Sequence, residues 1–156
     1  MRAIFPFYLY FITFLFSQSS LEVGMPAPEW EFPDADGNMF TMDSWAGKIM
    51  GVSYVDPDES EMNEEFSDRV KKAIDVDSLI ARDSFKGIGI ADCASSWKPD
   101  FLIRAIGGRK AKKYETTVLF DFDAILRKSW DLNEDSYNIV ILDKSRIVRG
   151  LYKEKM

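Results

Sequence analysis

Residues 49–74 read IMGVSYVDPDESEMNEEFSDRVKKAI. Within this stretch the spacing of apolar residues changes from one typical of a strand to one typical of a helix, which indicates an α/β fold. The part over 49–55 is rich in apolar and β-favouring residues and runs into Asp56-Pro57-Asp58, which is typical of a buried strand that ends in a turn. The following pattern predicts an amphipathic helix over 60–74, with Ser60 as its cap. Its apolar residues recur at every fourth position, at Met62, Phe66, Val70 and Ile74.

The segments on either side predict a mixed β-sheet flanked by helices, an α/β fold. Alternation around the turn at 34–38 predicts a hairpin whose strands begin near Trp30 and Met39. Because strand 49–55 leads into a helix before the next strand, we expect those two strands to be parallel. The remaining predicted elements are a strand at 85–91, a short helix at 98–106 that stops at Gly107-Gly108, a strand at 116–120, and a closing hairpin of 138–142 and 147–152.

The amino terminus reads as a targeting segment. Arg2 precedes an apolar run from Ala3 to Phe16, which is too short to cross a hydrocarbon core of about 30 Å at about 1.5 Å per helical residue. The small residues of Ser17-Gln18-Ser19 fit a cleavage site. We therefore predict a signal peptide at 1–19 and one exported domain at 20–156, with no stable membrane span after cleavage. A buried amino-terminal strand and an uncleaved anchor are the alternatives.

Composition excludes several classes of function. The 156 residues include 20 basic and 26 acidic side chains, and a net charge of −6 argues against a nucleic-acid-binding protein. The chain contains no His, which excludes His-based triads and proton shuttles, and its lone Cys93 excludes an internal disulfide. No cofactor and no metal are predicted. Gly87-Ile88-Gly89 lacks the third Gly of a dinucleotide fingerprint, and the acidic run at 56–65 lacks the spacing of a Ca²⁺ loop.

Several stretches carry a resemblance to a known family. Residues 27–55, APEWEFPDADGNMFTMDSWAGKIMGVSYV, resemble the opening of redoxin and thioredoxin-like proteins. Two further stretches and the export signal resemble the YtfJ family of periplasmic thioredoxin-fold proteins. These stretches are SEMNEEF at 60–66 and KKYETTVLFDFDAILRKSWDLNEDSYNIVILDKSRIVRG at 112–150. The resemblance covers most of the chain after the signal and implies a thioredoxin-like fold and a periplasmic or secreted location.

The chain departs from redox-active relatives at two places and from the YtfJ family at a third. Those proteins carry two cysteines in the loop after the first core strand, whereas this loop reads Asp58-Glu59-Ser60-Glu61-Met62. They also place a Pro before the strand that faces this loop, and 114–117 contains none. The YtfJ family lacks the dithiol as well, but usually continues into a terminal helix, which this sequence does not supply. An uncovered sheet face of that kind favours a homodimer or a partner contact.

The resemblance also indicates where function would lie. Loops at 56–62, 92–98 and 114–116 are expected to form the face on which active relatives do their chemistry. That candidate face comprises Asp58, Glu59, Ser60, Glu61, Met62, Cys93 and Thr116.

The absent dithiol and the absent His favour a non-catalytic periplasmic binding module over an enzyme, with an unknown protein or small-molecule partner. The alternative is a one-Cys thiol peroxidase or thiol-exchange protein in which Cys93 attacks peroxide or a partner disulfide. That role needs an exposed thiol of lowered pKa, and an incidental structural thiol is the competing interpretation of Cys93. A third hypothesis is a structural homodimer. The basic run 109–113, RKAKK, is interpreted as a solvated loop or as a contact for an anionic lipid or an acidic partner.

Overall fold

A computed structural model describes residues 20–62 and 64–154. The predicted signal peptide at 1–19 lies outside the described residues, and within them no helix is long and apolar enough to span a membrane. The described elements are β1 (Glu31–Pro33), β2 (Met39–Thr41), a 3-10 turn (Met42–Trp45), β3 (Ile49–Val55), α1 (Glu64–Asp75), β4 (Phe85–Asp92), α2 (Asp100–Tyr114), β5 (Thr117–Asp121), α3 (Ile125–Trp130), β6 (Tyr137–Leu142) and β7 (Val148–Tyr152).

The central sheet has the strand order β5-β4-β3-β6-β7, and β1 and β2 form a separate antiparallel pair. Strand β3 runs parallel to β4, which in turn runs parallel to β5. Strand β6 runs antiparallel to both β3 and β7. The predicted mixed α/β architecture, the parallel crossover and both hairpins are therefore confirmed. No helix follows β7 within the described residues, and the homodimer stays a prediction.

One face of the sheet carries the main hydrophobic core. Alternate side chains of β3, namely Met50, Val52 and Tyr54, are buried on this face because successive strand residues point to opposite sides. Helix α3 closes the core with Trp130, whose indole nitrogen donates to the Pro28 carbonyl oxygen at 3.1 Å. The entry segment before β1 is fixed to the core by this bond.

Helices α1 and α2 cover the opposite face, and they do so unequally. Helix α2 buries Ile103 and Gly107 against the sheet, and Ile103 belongs to a second apolar cluster with Ala91, Cys93 and Phe120. Helix α1 has no fully buried side chain, although its sequence is strongly amphipathic. The structure thus pairs a densely packed face with a loosely covered one.

The predicted end of the second helix is wrong. Helix α2 continues through Gly107-Gly108 to Tyr114, so the basic run 109–113 is helical and is not a loop. A Cβ at Gly107 would lie 2.9 Å from a ring carbon of Phe120 and 3.0 Å from a methyl carbon of Val118. Gly107 is present because the helix backbone approaches the sheet closely, and not because the helix ends.

The start of α1 and the existence of α3 also differ from expectation. Helix α1 begins at Glu64, and the chain before it forms consecutive turns in which Met62 N donates to Glu59 O at 3.0 Å. Ser60 belongs to these turns and does not cap the helix. Helix α3 was not predicted because it spans six residues, too few for a periodic pattern to be detected.

Candidate functional site

The carboxyl ends of β3 and β4 bring two predicted loops together. Asp58, in the loop after β3, forms an ion pair with Lys98, in the loop after β4. Ser96 Oγ donates to Asp58 Oδ2 at 3.2 Å, and the Asp58 backbone N–H donates to Asp56 Oδ1 at 2.7 Å. We call the surface formed by 56–62, 92–98 and the first turn of α2 the edge surface.

Six of the seven predicted site residues lie in the loops of this edge surface, and Thr116 does not. Thr116 immediately precedes β5, and its hydroxyl donates to the Gly87 carbonyl oxygen at 2.5 Å. Because β5 is parallel to β4, its start lies at the opposite edge of the sheet from Cys93. The expected contribution of 114–116 to the face is therefore wrong. Of the other six, Asp58, Glu59 and Glu61 are exposed, Ser60 and Met62 are half-buried, and Cys93 is buried.

The segment that faces the loop after β3 is 135–137. Strand β6 pairs with β3 in the register Val55 opposite Tyr137, and Asp56 N donates to the Ser136 carbonyl oxygen at 3.0 Å. Residues 114–117 lead into β5, which does not pair with β3, so the expectation that they face this loop is wrong. Segment 135–137 reads Asp-Ser-Tyr, so the facing position contains no Pro either.

Cys93 is a core residue. Its residue surface is 8% exposed, and its thiol donates to the Ala91 carbonyl oxygen at 3.5 Å. The pKa of the Cys93 thiol is raised to about 12. Burial is the main cause, and the carboxylates of Asp100, Asp121 and Asp92 contribute to the same rise. A nucleophilic thiol needs the opposite environment, with exposure and nearby positive charge. The arrangement therefore disfavours thiol chemistry at neutral pH.

A buried polar cluster lies beneath the edge surface, and sequence reasoning missed it. The Tyr54 hydroxyl donates to Asp121 Oδ2 at 3.1 Å, and burial and the Asp121 charge raise the pKa of Tyr54. The Asp121 carboxylate also accepts from the backbone N–H groups of Ile125 at 2.9 Å and Leu126 at 2.8 Å. Asp121 therefore fixes the start of α3 to the end of β5.

Asp92 and Arg127 extend this cluster. Arg127 Nε lies 3.1 Å from Asp92 Oδ2, and Arg127 also pairs with Glu134. Burial raises the pKa of Asp92, and the Arg127 charge opposes that shift. The described residues contain no group of three or more His, Cys, Asp or Glu side chains arranged to hold a metal ion. The arrangement anchors α3 against the sheet.

Two aromatic side chains of the edge surface are exposed, and these too were missed from the sequence. Trp97 is 82% exposed and Phe101 is 74% exposed. Trp97 lies one residue before Lys98, whose ammonium is 5.5 Å from the indole centroid. Aromatic side chains supply much of the binding energy at protein interfaces when a partner covers them. The only signal in the sequence is Trp97 inside an otherwise polar loop.

Solved structures share this fold. The chain is similar to the thioredoxin domain of a thiol-disulfide oxidoreductase from Bacteroides vulgatus, with 14% identity, 85% of this chain and 89% of that chain covered, and a TM-score of 0.61. It is similar to a peroxiredoxin-like protein from Aquifex aeolicus, with 14% identity, coverages of 88% and 78%, and a TM-score of 0.61.

A hypothetical protein from Sinorhizobium meliloti matches at 18% identity over 85% of this chain and 71% of its own, with a TM-score of 0.61. No protein-family model and no curated protein matches the chain. At these identities the likeness concerns the fold, which is thioredoxin-like, as predicted.

Proposed function

We propose that the chain is an exported binding protein of the YtfJ type that recognises a protein partner at its edge surface and performs no thiol chemistry. The observation that carries the proposal is the exposure of Trp97 and Phe101 at 82% and 74%, beside the ion pair of Asp58 and Lys98. Large aromatic side chains are costly to leave in water and are favoured where another surface covers them. The apolar run at 3–16 supports export.

The placement of the edge surface agrees with this function. It includes the loop after β3, where thioredoxin-like relatives with a dithiol carry their cysteines, and here that loop is acidic. The ion pair of Asp58 with Lys98 joins this loop to the loop that contains Trp97, so the two loops are held in one arrangement. A preorganised surface loses less conformational entropy when a partner binds.

The one-Cys alternative has less support. A peroxidase or thiol-exchange reaction at Cys93 requires the thiolate, whereas burial raises the pKa of that thiol to about 12. The neighbouring carboxylates of Asp92 and Asp121 add repulsion to a developing negative charge. Among the described residues, no other side chain offers redox chemistry of this kind.

Alanine substitution at Trp97 and Phe101 tests the proposal. The double variant should fold with a stability within about 0.5 kcal/mol of the native chain, because neither side chain is buried. Partners cross-linked to the native chain in its own compartment and identified by mass spectrometry should fall at least about tenfold in yield with this variant.

The matched control replaces Val76 and Leu79, which are 71% and 78% exposed and follow α1. This control variant should retain the partners of the native chain. Equal loss in both variants, or undiminished capture by the Trp97 and Phe101 variant, would count against the edge surface as the binding site.

A further inference from the structure

The edge surface combines its exposed aromatic side chains with unbalanced negative charge. Loop 56–62 contains four carboxylates and no basic side chain, and Asp100 begins α2 directly beside Phe101. Glu59, Glu61 and Asp100 are all exposed, and none of them belongs to an ion pair within the described residues. The surface that carries the aromatic side chains therefore also carries carboxylates that no cation of the described chain neutralises.

Three basic side chains reach this region, and each is engaged within the fold. Lys98 pairs with Asp58, which belongs to the same surface. Lys110 of α2 pairs with Glu64 at the start of α1. Arg104 donates to a carbonyl oxygen in the turn between β1 and β2 at 3.1 Å. Because all three are occupied, the remaining carboxylates of the edge surface keep their charge unpaired.

Exposed aromatic rings and unpaired carboxylates together favour one kind of partner. Aromatic rings bind apolar side chains and also attract a cation placed over their faces. Carboxylates accept paired hydrogen bonds from an Arg guanidinium and attract a Lys ammonium. A surface of this charge repels nucleic acids and anionic lipid headgroups, because like charges raise the free energy of contact. A basic polypeptide satisfies both features at once.

We propose that the edge surface recognises a basic polypeptide segment in which Arg or Lys side chains flank an apolar one. The apolar side chain packs against Trp97 and Phe101, and the basic side chains pair with Glu59, Glu61 and Asp100. This inference rests on the proposed function, since it names the chemistry of the partner at the same surface. Opposite charges across an interface speed association and exclude partners of the wrong charge.

Titration calorimetry with three capped heptapeptides tests the proposal. The peptides RLGRLGR, SLGSLGS and ELGELGE share their leucines and glycines and differ in charge. The full chain should bind RLGRLGR saturably and at least about tenfold more tightly than SLGSLGS, and it should not bind ELGELGE measurably. Raising the ionic strength from about 0.05 M to about 0.5 M should reduce this preference, because salt screens exposed charges.

Substitution of the unpaired glutamates provides a matched comparison. Glu59→Gln combined with Glu61→Gln should lower the affinity for RLGRLGR by about tenfold, because two attractive charges are removed. The control combines Glu29→Gln with Glu31→Gln at the start of β1, outside the edge surface. These two glutamates are also exposed, have the same spacing and form no ion pair within the described part of the chain. The control makes the same change in net charge and should retain the native affinity.

The proposal is overturned if RLGRLGR does not bind saturably, if SLGSLGS binds equally well, or if the two glutamate variants bind alike. Cosedimentation of the native chain with phosphatidylglycerol vesicles would also overturn it, because an anionic lipid surface would then be the partner.

Two results separate this inference from the proposed function. A partner cross-linked at position 101, together with no preference for RLGRLGR, would contradict the basic chemistry and leave the partner surface in place. Undiminished binding of RLGRLGR after alanine substitution at Trp97 and Phe101 would contradict the edge surface itself.

Discussion

The environment of Cys93 shows how one residue's burial determines its chemistry. The thiol follows β4 directly, where Cys93 N donates to the Asp121 carbonyl oxygen at 2.9 Å and the side chain packs with Ile103 and Phe120. In the sequence Asp92 and Lys98 lie close to this thiol, and their opposite charges would shift its pKa in opposite directions. In the structure Lys98 pairs with Asp58. Burial and the neighbouring carboxylates raise the pKa of the thiol.

Alkylation of Cys93 should therefore be slow in the folded protein. At pH 8 a small iodoacetamide reagent should label the native chain at least about a hundredfold more slowly than the chain in denaturant, because the thiolate and the access are both suppressed. Labelling followed by mass spectrometry measures both rates. A rapid native rate with an apparent pKa below about 8.5 would contradict the assignment of Cys93 to the core.

At the scale of elements, periodicity predicted the strands well and the helix boundaries less well. Strand β3 was expected over 49–55 and is observed as Ile49–Val55, because its apolar run and its turn are both local signals. The extent of α2 depends on contact between Gly107 and Phe120, which lies in another element. The start of α3 depends on Asp121 of β5. Neither kind of contact leaves a periodic trace in the sequence.

The adjacent glycines of α2 should respond oppositely to alanine. Gly107→Ala should lower the free energy of unfolding by about 1–3 kcal/mol, because the new Cβ would meet Phe120 and Val118. Gly108→Ala should raise it by about 0.5–1 kcal/mol, since its Cβ position has no neighbour within 4 Å and Ala favours the helix. Urea unfolding measures both changes. Equal effects of the two substitutions would contradict the close approach of α2 to the sheet.

The link between α1 and α2 should depend on pH. Hydrogen bonds from Lys110 and Lys113 lower the pKa of Glu64 below its usual 4.5. The ionised Glu64 therefore stabilises the folded chain at neutral pH, and this contribution is lost as the pH falls through the lowered pKa. Glu64→Gln should reduce the free energy of unfolding by about 0.5–1 kcal/mol at pH 7. The difference from the native chain should shrink progressively below pH 4.5.

Glu65→Gln is the matched control for this prediction. Glu65 shares the first turn of α1, so it shares the helix-dipole contribution, but its ion pair with Arg69 lies within α1. Its substitution should change stability by less than about 0.5 kcal/mol. Chemical denaturation across the acidic range measures the free energy of unfolding of both variants. An equal change for the two variants would contradict the interhelical role of Glu64.

At the scale of the whole molecule, strand direction decides which residues can form one site. The resemblance to thioredoxin-like proteins implied that loops 56–62 and 92–98 meet. They do so because both follow parallel strands, and the ion pair of Asp58 with Lys98 joins them. Thr116 was expected to lie with them, but it precedes β5 and therefore lies at the opposite edge of the sheet. The exposure of Phe101 could not be predicted, since in the sequence it shares an apolar pattern with Leu102, Ala105 and Ile106 that is typical of the buried face of a helix. Burial depends on how α2 is rotated against the sheet.

Site-specific photocross-linking at Phe101 tests the proposed partner surface most directly. Replacing Phe101 with p-benzoylphenylalanine keeps an aromatic ring at the position, and Leu79, which is equally exposed, serves as the control position. We predict a discrete cross-linked adduct in living cells from position 101, none from position 79, and the same adduct in a chain that also carries Cys93→Ala. No adduct from position 101, or an adduct that requires Cys93, would contradict a partner surface that works without thiol chemistry.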